Sequence, residues 1–214
     1  MASMRDRRKK LVAEQVARGI RDVLVLAAIG EVARELFVPK RLRGHAYDDS
    51  PLPIGSGQTI SQPYIVALMI EALALRGGEK VLEIGSGSGY AAAVLARIAR
   101  EVFTVERIGK LAKTAAARLT AAGFVNVHVR SADGTLGWED EAPFDAILVS
   151  AGAPDVPKSL KRQLAVGGRM VIPVGSNQRA QELVRVTRTA EVRFKQEAIA
   201  DVRFVPLIGQ EGWN

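Results

Sequence analysis

The stretch Val81-Leu82-Glu83-Ile84-Gly85-Ser86-Gly87-Ser88-Gly89-Tyr90 decides the fold of this chain. It reads as a buried strand that breaks into a glycine turn and re-enters a helix over Ala91–Ala96. The glycines stand at alternate positions, G-x-G-x-G. The dinucleotide fingerprint places its third glycine one residue later, where this chain has Tyr90. The next apolar strand, Val102-Phe103-Thr104-Val105, ends in Glu106. That acid falls about 20 residues past the turn, where a carboxylate holds ribose hydroxyls. A strand, turn, helix and acid in this register point to a nucleoside-bearing cofactor without a pyrophosphate, and S-adenosylmethionine fits. The competing reading is a tight strand-to-helix turn in an ordinary α/β domain.

Strands and helices alternate from Glu79 onward. Strands are expected at Lys80–Ile84, Val102–Glu106, Val125–Val129, Phe144–Ser150 and Arg169–Val174. The stripe Ile108, Leu111, Ala112, Ala115, Ala116, Leu119, Ala122 has helical spacing, and a short helix is expected near Pro157–Leu164. Late strands at Glu182–Thr189 and Val192–Phe204 form an antiparallel pair. The βαβα order predicts a Rossmann-like α/β fold, a mainly parallel sheet with helices on both faces. Helices precede it at Asp6–Arg18, from Val23 to Phe37, and from Pro63. Between them runs a long irregular segment, His45–Ser61, of the kind that carries function. One methyltransferase-like domain over residues 1–214 is expected. Residues 1–78 hold the helices and loop, 79–175 a cofactor-binding core, and 176–214 the closing strands and tail.

Composition narrows the chemistry. The 214 residues include no cysteine and two histidines, His45 and His128. Disulfides and cysteine nucleophiles are excluded, and no metal site is expected. No apolar run spans a bilayer, and the basic Arg5–Lys10 cluster has no signal-peptide core behind it. The chain is read as a soluble, cytoplasmic monomer. Its net charge of +7 is compatible with a nucleic-acid surface. The basic residues are dispersed, however, and no aromatics interleave with the one dense cluster, so nucleic acid is not the expected partner.

The segment Asp48-Asp49-Ser50-Pro51-Leu52-Pro53-Ile54-Gly55, followed by Gly57-Gln58-Thr59-Ile60-Ser61-Gln62-Pro63-Tyr64, resembles the substrate loop of the protein-L-isoaspartate O-methyltransferases. Matches continue through the glycine turn, Val105–Ile108, Asp133-Gly134, Ala142–Ile147, Gly167-Gly168, Pro173–Gly175 and Arg203–Leu207. The resemblance implies methyl transfer from S-adenosyl-L-methionine to the free α-carboxylate of isoaspartyl residues in damaged proteins and peptides. S-adenosyl-L-homocysteine would be the second product. It implies that Ser61 is the catalytic position and that Pro53, Ile54, Thr59 and Ser61 meet the substrate. Cofactor contacts would come from Gln58, Thr59, Ile60, Ser61, Glu83, Gly85, Ser86, Gly87, Gly89, Glu106, Arg107, Asp133 and Gly134. Asp133 would take the adenine amino group; as an Asp-Gly pair it also suits a turn. Ser61 either orients the substrate carboxylate or caps the following helix.

A carboxylate nucleophile is already ionised at neutral pH, so no general base is required. Neutral donors suit this reaction, because the opposite charges of carboxylate and sulfonium cancel in the transition state. A methyltransferase acting on RNA or a small molecule would share the cofactor half. Base N-methylation is disfavoured because Ser150-Ala151-Gly152-Ala153-Pro154 lacks an Asn/Asp-Pro-Pro-aromatic motif. Pyrimidine carbon methylation is disfavoured by the missing cysteine.

Overall fold

The computed structural model describes residues 3–214. Ser3 opens α1 (Met4–Ala17) with a reciprocal capping box to Asp6. Asp22 caps α2 (Val23–Glu31) by accepting from the Leu24 and Val25 amides. The helical pattern expected from Val32 to Phe37 does not continue α2. Val32 is extended, and only a one-turn 3-10 helix, Arg34–Leu36, follows. The expected irregular segment contains a hairpin, β1 (Leu52–Gly55) with β2 (Gln58–Ile60). Its turn needs positive φ at Gly55, Ser56 and Gly57. Then α3 (Pro63–Leu73) begins with proline in its first turn.

The main sheet takes the order β5-β4-β3-β6-β7-β8-β9. Its strands are β3 (Lys80–Ile84), β4 (Glu101–Glu106), β5 (Val127–Ser131), β6 (Phe144–Val149), β7 (Leu164–Asn177), β8 (Ala180–Ala190) and β9 (Arg193–Val202). Pairings from β5 to β7 are parallel, and β7, β8 and β9 are antiparallel. Helices α4 (Tyr90–Ala96), α5 (Gly109–Ala121) and α6 (Lys158–Gln163) fill the crossovers. Strand β5 lies two residues later than expected because Val125 is 93% exposed and outside the ladder. Strand β7 is longer than expected and carries an irregularity in its pairing with β6.

Alternation along β3 builds the core on both faces. Val81 joins the cluster under α2, α3 and α4, whereas Leu82 and Ile84 join the cluster of Phe103, Phe144, Ile147 and Leu160. Strand order reverses between β3 and β6. Parallel sheets bind ligands outside the carboxyl ends of their strands at such a switch point, and the glycine turn leaves β3 there.

Candidate active site

The turn after β3 is fixed by backbone bonds to both neighbouring strands. The Gly85 amide donates to the Val105 carbonyl at 2.8 Å, and the Ser150 amide donates to the Ile84 carbonyl at 2.8 Å. Gly85, Gly87 and Gly89 all have positive φ, and Gly89 is the N-cap of α4. A Cβ on Gly87 would lie 3.2 Å from Ile54 Cδ1, so the β1–β2 hairpin closes over the turn. Ile54 therefore supports the site from above. Pro53, across the ladder from Thr59, is exposed and lines neither cavity at the turn.

Two small cavities flank the turn. One, about 110 Å³, is bounded by Gln58, Thr59, Gly85, Gly87, Glu106, Arg107, Gly134 and the chain from Val205 to Ile208. The other, about 50 Å³, is bounded by Thr59, Ile60, Ser61, Glu83, Ser86, Ser88 and Tyr90. Thr59, Gly85, Gly87 and Ser150 border both. A larger cavity of about 800 Å³ lies between α1 and the turn at Gly44–Asp49. Most of its polar side chains are satisfied within the chain, Arg18 by Asp49, Lys10 by Glu14, His45 by Asp48 and Arg7 by the Gly44 carbonyl, and none of the expected site residues reaches it. Convergent chemistry, rather than volume, marks the glycine turn as the site.

Glu106 ends β4 and is 7% exposed. Its Oε2 accepts from the Gly87 amide at 2.9 Å and its Oε1 from the Ile108 amide at 2.8 Å. A carboxylate offers about four acceptor positions, so each oxygen keeps one for a ribose hydroxyl. Glu83 is fully buried. Its Oε2 accepts from the Thr104 hydroxyl, which also bonds Ser86 Oγ at 2.6 Å, and its Oε1 has no partner. Burial pushes the Glu83 carboxyl up to about 8; the Thr104 bond opposes the rise, Glu106 adds to it, and the nearby Ala92 backbone N–H opposes it slightly. An orphaned carboxyl oxygen beside the second cavity is a ready acceptor for an ammonium group.

Asp133 stands at the Asp-Gly turn that its sequence suits. Its Oδ1 accepts from the Thr135 amide at 2.9 Å and hydroxyl at 2.7 Å, capping a 3-10 turn. Its Oδ2 accepts from the Gln210 amide at 2.8 Å. Burial works against ionisation, but these bonds and Arg107 hold the carboxyl below its usual range. One acceptor position on Oδ2 stays free for an amino group. Gly134, not Asp133, lines the cavity, and a Cβ there would meet Ile84 Cγ2 at 2.6 Å.

Ser61 is not the cap of α3. That position belongs to Gln62, whose side chain makes no capping bond. The Ser61 carbonyl accepts from Arg34 Nη2 at 2.8 Å, and Ser61 borders the second cavity. Arg34 itself is fully buried and also donates from Nε to the Ala46 carbonyl at 2.8 Å. Sequence reasoning missed Arg34, Ser150 and Tyr90. Ser150 was findable from its place at the carboxyl end of a central strand. Arg34 gave no local signal, since only tertiary folding brings it to Ser61. The tail also builds the site: Ile208 lines the first cavity, Glu211 accepts from Ser159, and Trp213 Nε1 donates to the Gly152 carbonyl at 2.9 Å.

A mainly parallel sheet with a glycine turn at its switch point and a buried acid ending the next strand is the fold of the S-adenosylmethionine-dependent methyltransferases. The chain belongs to the protein-L-isoaspartate(D-aspartate) O-methyltransferase family, whose model matches residues 6–212. It is 66% identical over 96% of its length to protein-L-isoaspartate O-methyltransferase 1 of Rhodopseudomonas palustris strain HaA2, covering 84% of that protein. It is 59% identical to protein-L-isoaspartate O-methyltransferase 2 of Marinobacter nauticus, covering 97% of this chain and 94% of that one. A solved structure of a putative family member from Plasmodium falciparum, in complex with S-adenosyl-L-homocysteine, superposes with a TM-score of 0.82. That protein is 27% identical, with 94% of this chain and 98% of that one covered.

Proposed function

We propose that this chain transfers the methyl group of S-adenosylmethionine to the free α-carboxylate of L-isoaspartyl residues in damaged proteins and peptides. The observation that carries this reading is the placement of Gln58–Ser61 directly over the glycine turn, with Thr59 bordering both cavities. When bound, the cofactor supplies a methyl group on a sulfonium sulfur. A carboxylate oxygen forms the new C–O bond as the S–C bond breaks, giving a methyl ester and S-adenosyl-L-homocysteine.

The residues present suit the cofactor. Glu106 has acceptor positions for the ribose, Glu83 Oε1 for the amino group, and the bare Cα atoms of Gly85 and Gly87 permit close approach. Thr59 and Ser61 supply hydroxyls near the reacting end, and the hairpin and Tyr90 exclude water. No side chain has to remove a proton, because the substrate carboxylate is ionised. Alignment alone is worth roughly 7–11 kcal/mol in favourable systems. An isoaspartyl residue carries its extra methylene in the main chain. A loop that reads backbone direction rejects the aspartyl isomer by clash and by leaving polar groups unpaired.

The test offers radiolabelled S-adenosylmethionine with an isoaspartyl peptide, its aspartyl twin and RNA. Base-labile label on the isoaspartyl peptide alone is the expected result. Equal labelling of both peptides, or transfer to RNA, overturns the assignment.

A further inference from the structure

A cavity of about 370 Å³ lies between the segment after Arg34–Leu36 and the carboxyl end of α5, away from the glycine turn. Its apolar wall includes Leu36, Val38 and Ala122, and its charged lining is Lys40, Arg43 and Arg118, with no acid. None of these three cations makes an ion pair among the described residues. The Arg43 Nε is shut off from solvent without a hydrogen-bond partner. Arg118 is held by one bond, from Nη1 to the Phe37 carbonyl at 3.0 Å.

Such an arrangement is costly unless something completes it. A buried donor left unpaired loses its bonds to water with nothing in return. Burial and the neighbouring Arg43 both lower the Arg118 pKa, and no acid offsets them. The carboxyl end of α5 contributes only about half a negative charge, too little to balance three cations. Arginine forks match the oxygens of phosphates and carboxylates, usually with two bonds each. The volume lies within the range of small-molecule sites, and the apolar wall leaves room for more than a bare ion.

We propose that this cavity binds a small organic phosphate, its oxyanion held by Arg43, Arg118 and Lys40 and its apolar part against Leu36 and Val38. The site is separate from the methyl-transfer site but mechanically adjacent to it. Phe37, whose carbonyl Arg118 holds, packs edge-on against Tyr90 with ring centroids 5.9 Å apart. Tyr90 lines the cavity that contains Ser61.

The experiment titrates the full chain, saturated with S-adenosyl-L-homocysteine to occupy the cofactor site, with phenyl phosphate at constant ionic strength. Calorimetry should give saturable binding at a one-to-one ratio, at least fivefold tighter than inorganic phosphate. Arg43→Gln and Arg118→Gln should each weaken it tenfold or more, whereas Lys113→Gln, an exposed cation on α5, should leave it unchanged. Because Arg118 also holds the Phe37 carbonyl, each variant's melting temperature is measured alongside. Arg43 makes no such bond, so its variant tests the site without that complication. Absence of saturable binding, equal affinity for both phosphates, or full binding by folded Arg43→Gln overturns the proposal. Methyl transfer to isoaspartyl peptide is read separately and would survive that failure.

Discussion

At the scale of single residues, Ser61 and Arg34 meet just after β2, where Arg34 donates to the Ser61 carbonyl. The Ser61 side chain is free of capping duty because Gln62 occupies that position. Ser61→Ala is therefore expected to leave the melting temperature nearly unchanged. It should lower single-turnover methylation of isoaspartyl peptide by roughly tenfold, equivalent to about 1.4 kcal/mol. A destabilised but fully active variant would move the role to Thr59 and the nearby backbone. Arg34 acts on the same residue through its carbonyl. Arg34→Met should leave the Ala46 and Ser61 carbonyls without their donor, costing roughly 1–3 kcal/mol for each acceptor left unpaired, offset in part by removal of the buried Nη1 that has no partner. Denaturant unfolding measures that loss, and an unchanged midpoint would show that water or another side chain replaces the guanidinium. Glu106 was legible from its distance past the glycines. The two hydrogen bonds it accepts from the Gly87 and Ile108 amides were not, because the sequence does not reveal how a carboxylate divides its acceptors.

At the scale of elements, the C-terminal tail forms one wall of the cavity of about 110 Å³ beside the glycine turn. Gln210 holds Asp133, Glu211 holds the start of α6 through Ser159, and Trp213 holds Gly152. Glu211 is drawn below its usual pKa by these bonds and Arg162, although its partial burial opposes the shift. Truncation after Leu207 should weaken binding of S-adenosyl-L-homocysteine by tenfold or more and lower the melting temperature. Calorimetry and thermal unfolding on the same protein check both parts. Unchanged affinity would confine the tail to a stabilising role. The tail had no periodic pattern to read, because its order comes from isolated bonds to the loop after β6, to α6 and to the Asp133 turn. The sheet was more legible, since strands buried on both faces appear as apolar runs bounded by turn residues. The β1–β2 hairpin was hidden for the opposite reason. Its strands have four and three residues, too short for alternation to show, and its turn includes a non-glycine residue, Ser56, at positive φ. The same rule explains β5, where exposed Val125 carried the right residue type without a partner strand.

At the scale of the whole molecule, the burial of the Glu83 carboxyl opposes folding at neutral pH. The fully buried Glu83 carboxyl has its folded-state pKa raised to about 8, from a reference value of 4.5. Between those values the folded protein retains a proton that the unfolded chain has released. Linkage then requires stability to fall as pH rises across that interval and to level off above it. Carboxylates with lowered pKa, such as Asp133 and Glu211, act in the opposite direction, but at lower pH, and their contribution is complete by neutrality. The cost of Glu83 should therefore emerge between about pH 5 and 8, when other carboxylates have already titrated. Glu83→Gln keeps the shape of the side chain and an acceptor for the Thr104 hydroxyl while removing the proton. The wild-type unfolding free energy should fall relative to this variant as pH rises across the interval, with the two curves running parallel above it. Urea unfolding at half-unit pH steps measures the difference. A constant offset between the proteins from pH 5 to 8 would show that Glu83 titrates normally, and the orphaned Oε1 would then need a partner other than its own proton. Saturating S-adenosylmethionine should reduce the divergence, because an ammonium placed at Oε1 favours the ionised carboxyl. The same urea series with cofactor present separates a carboxyl shaped for that ligand from one that is merely buried.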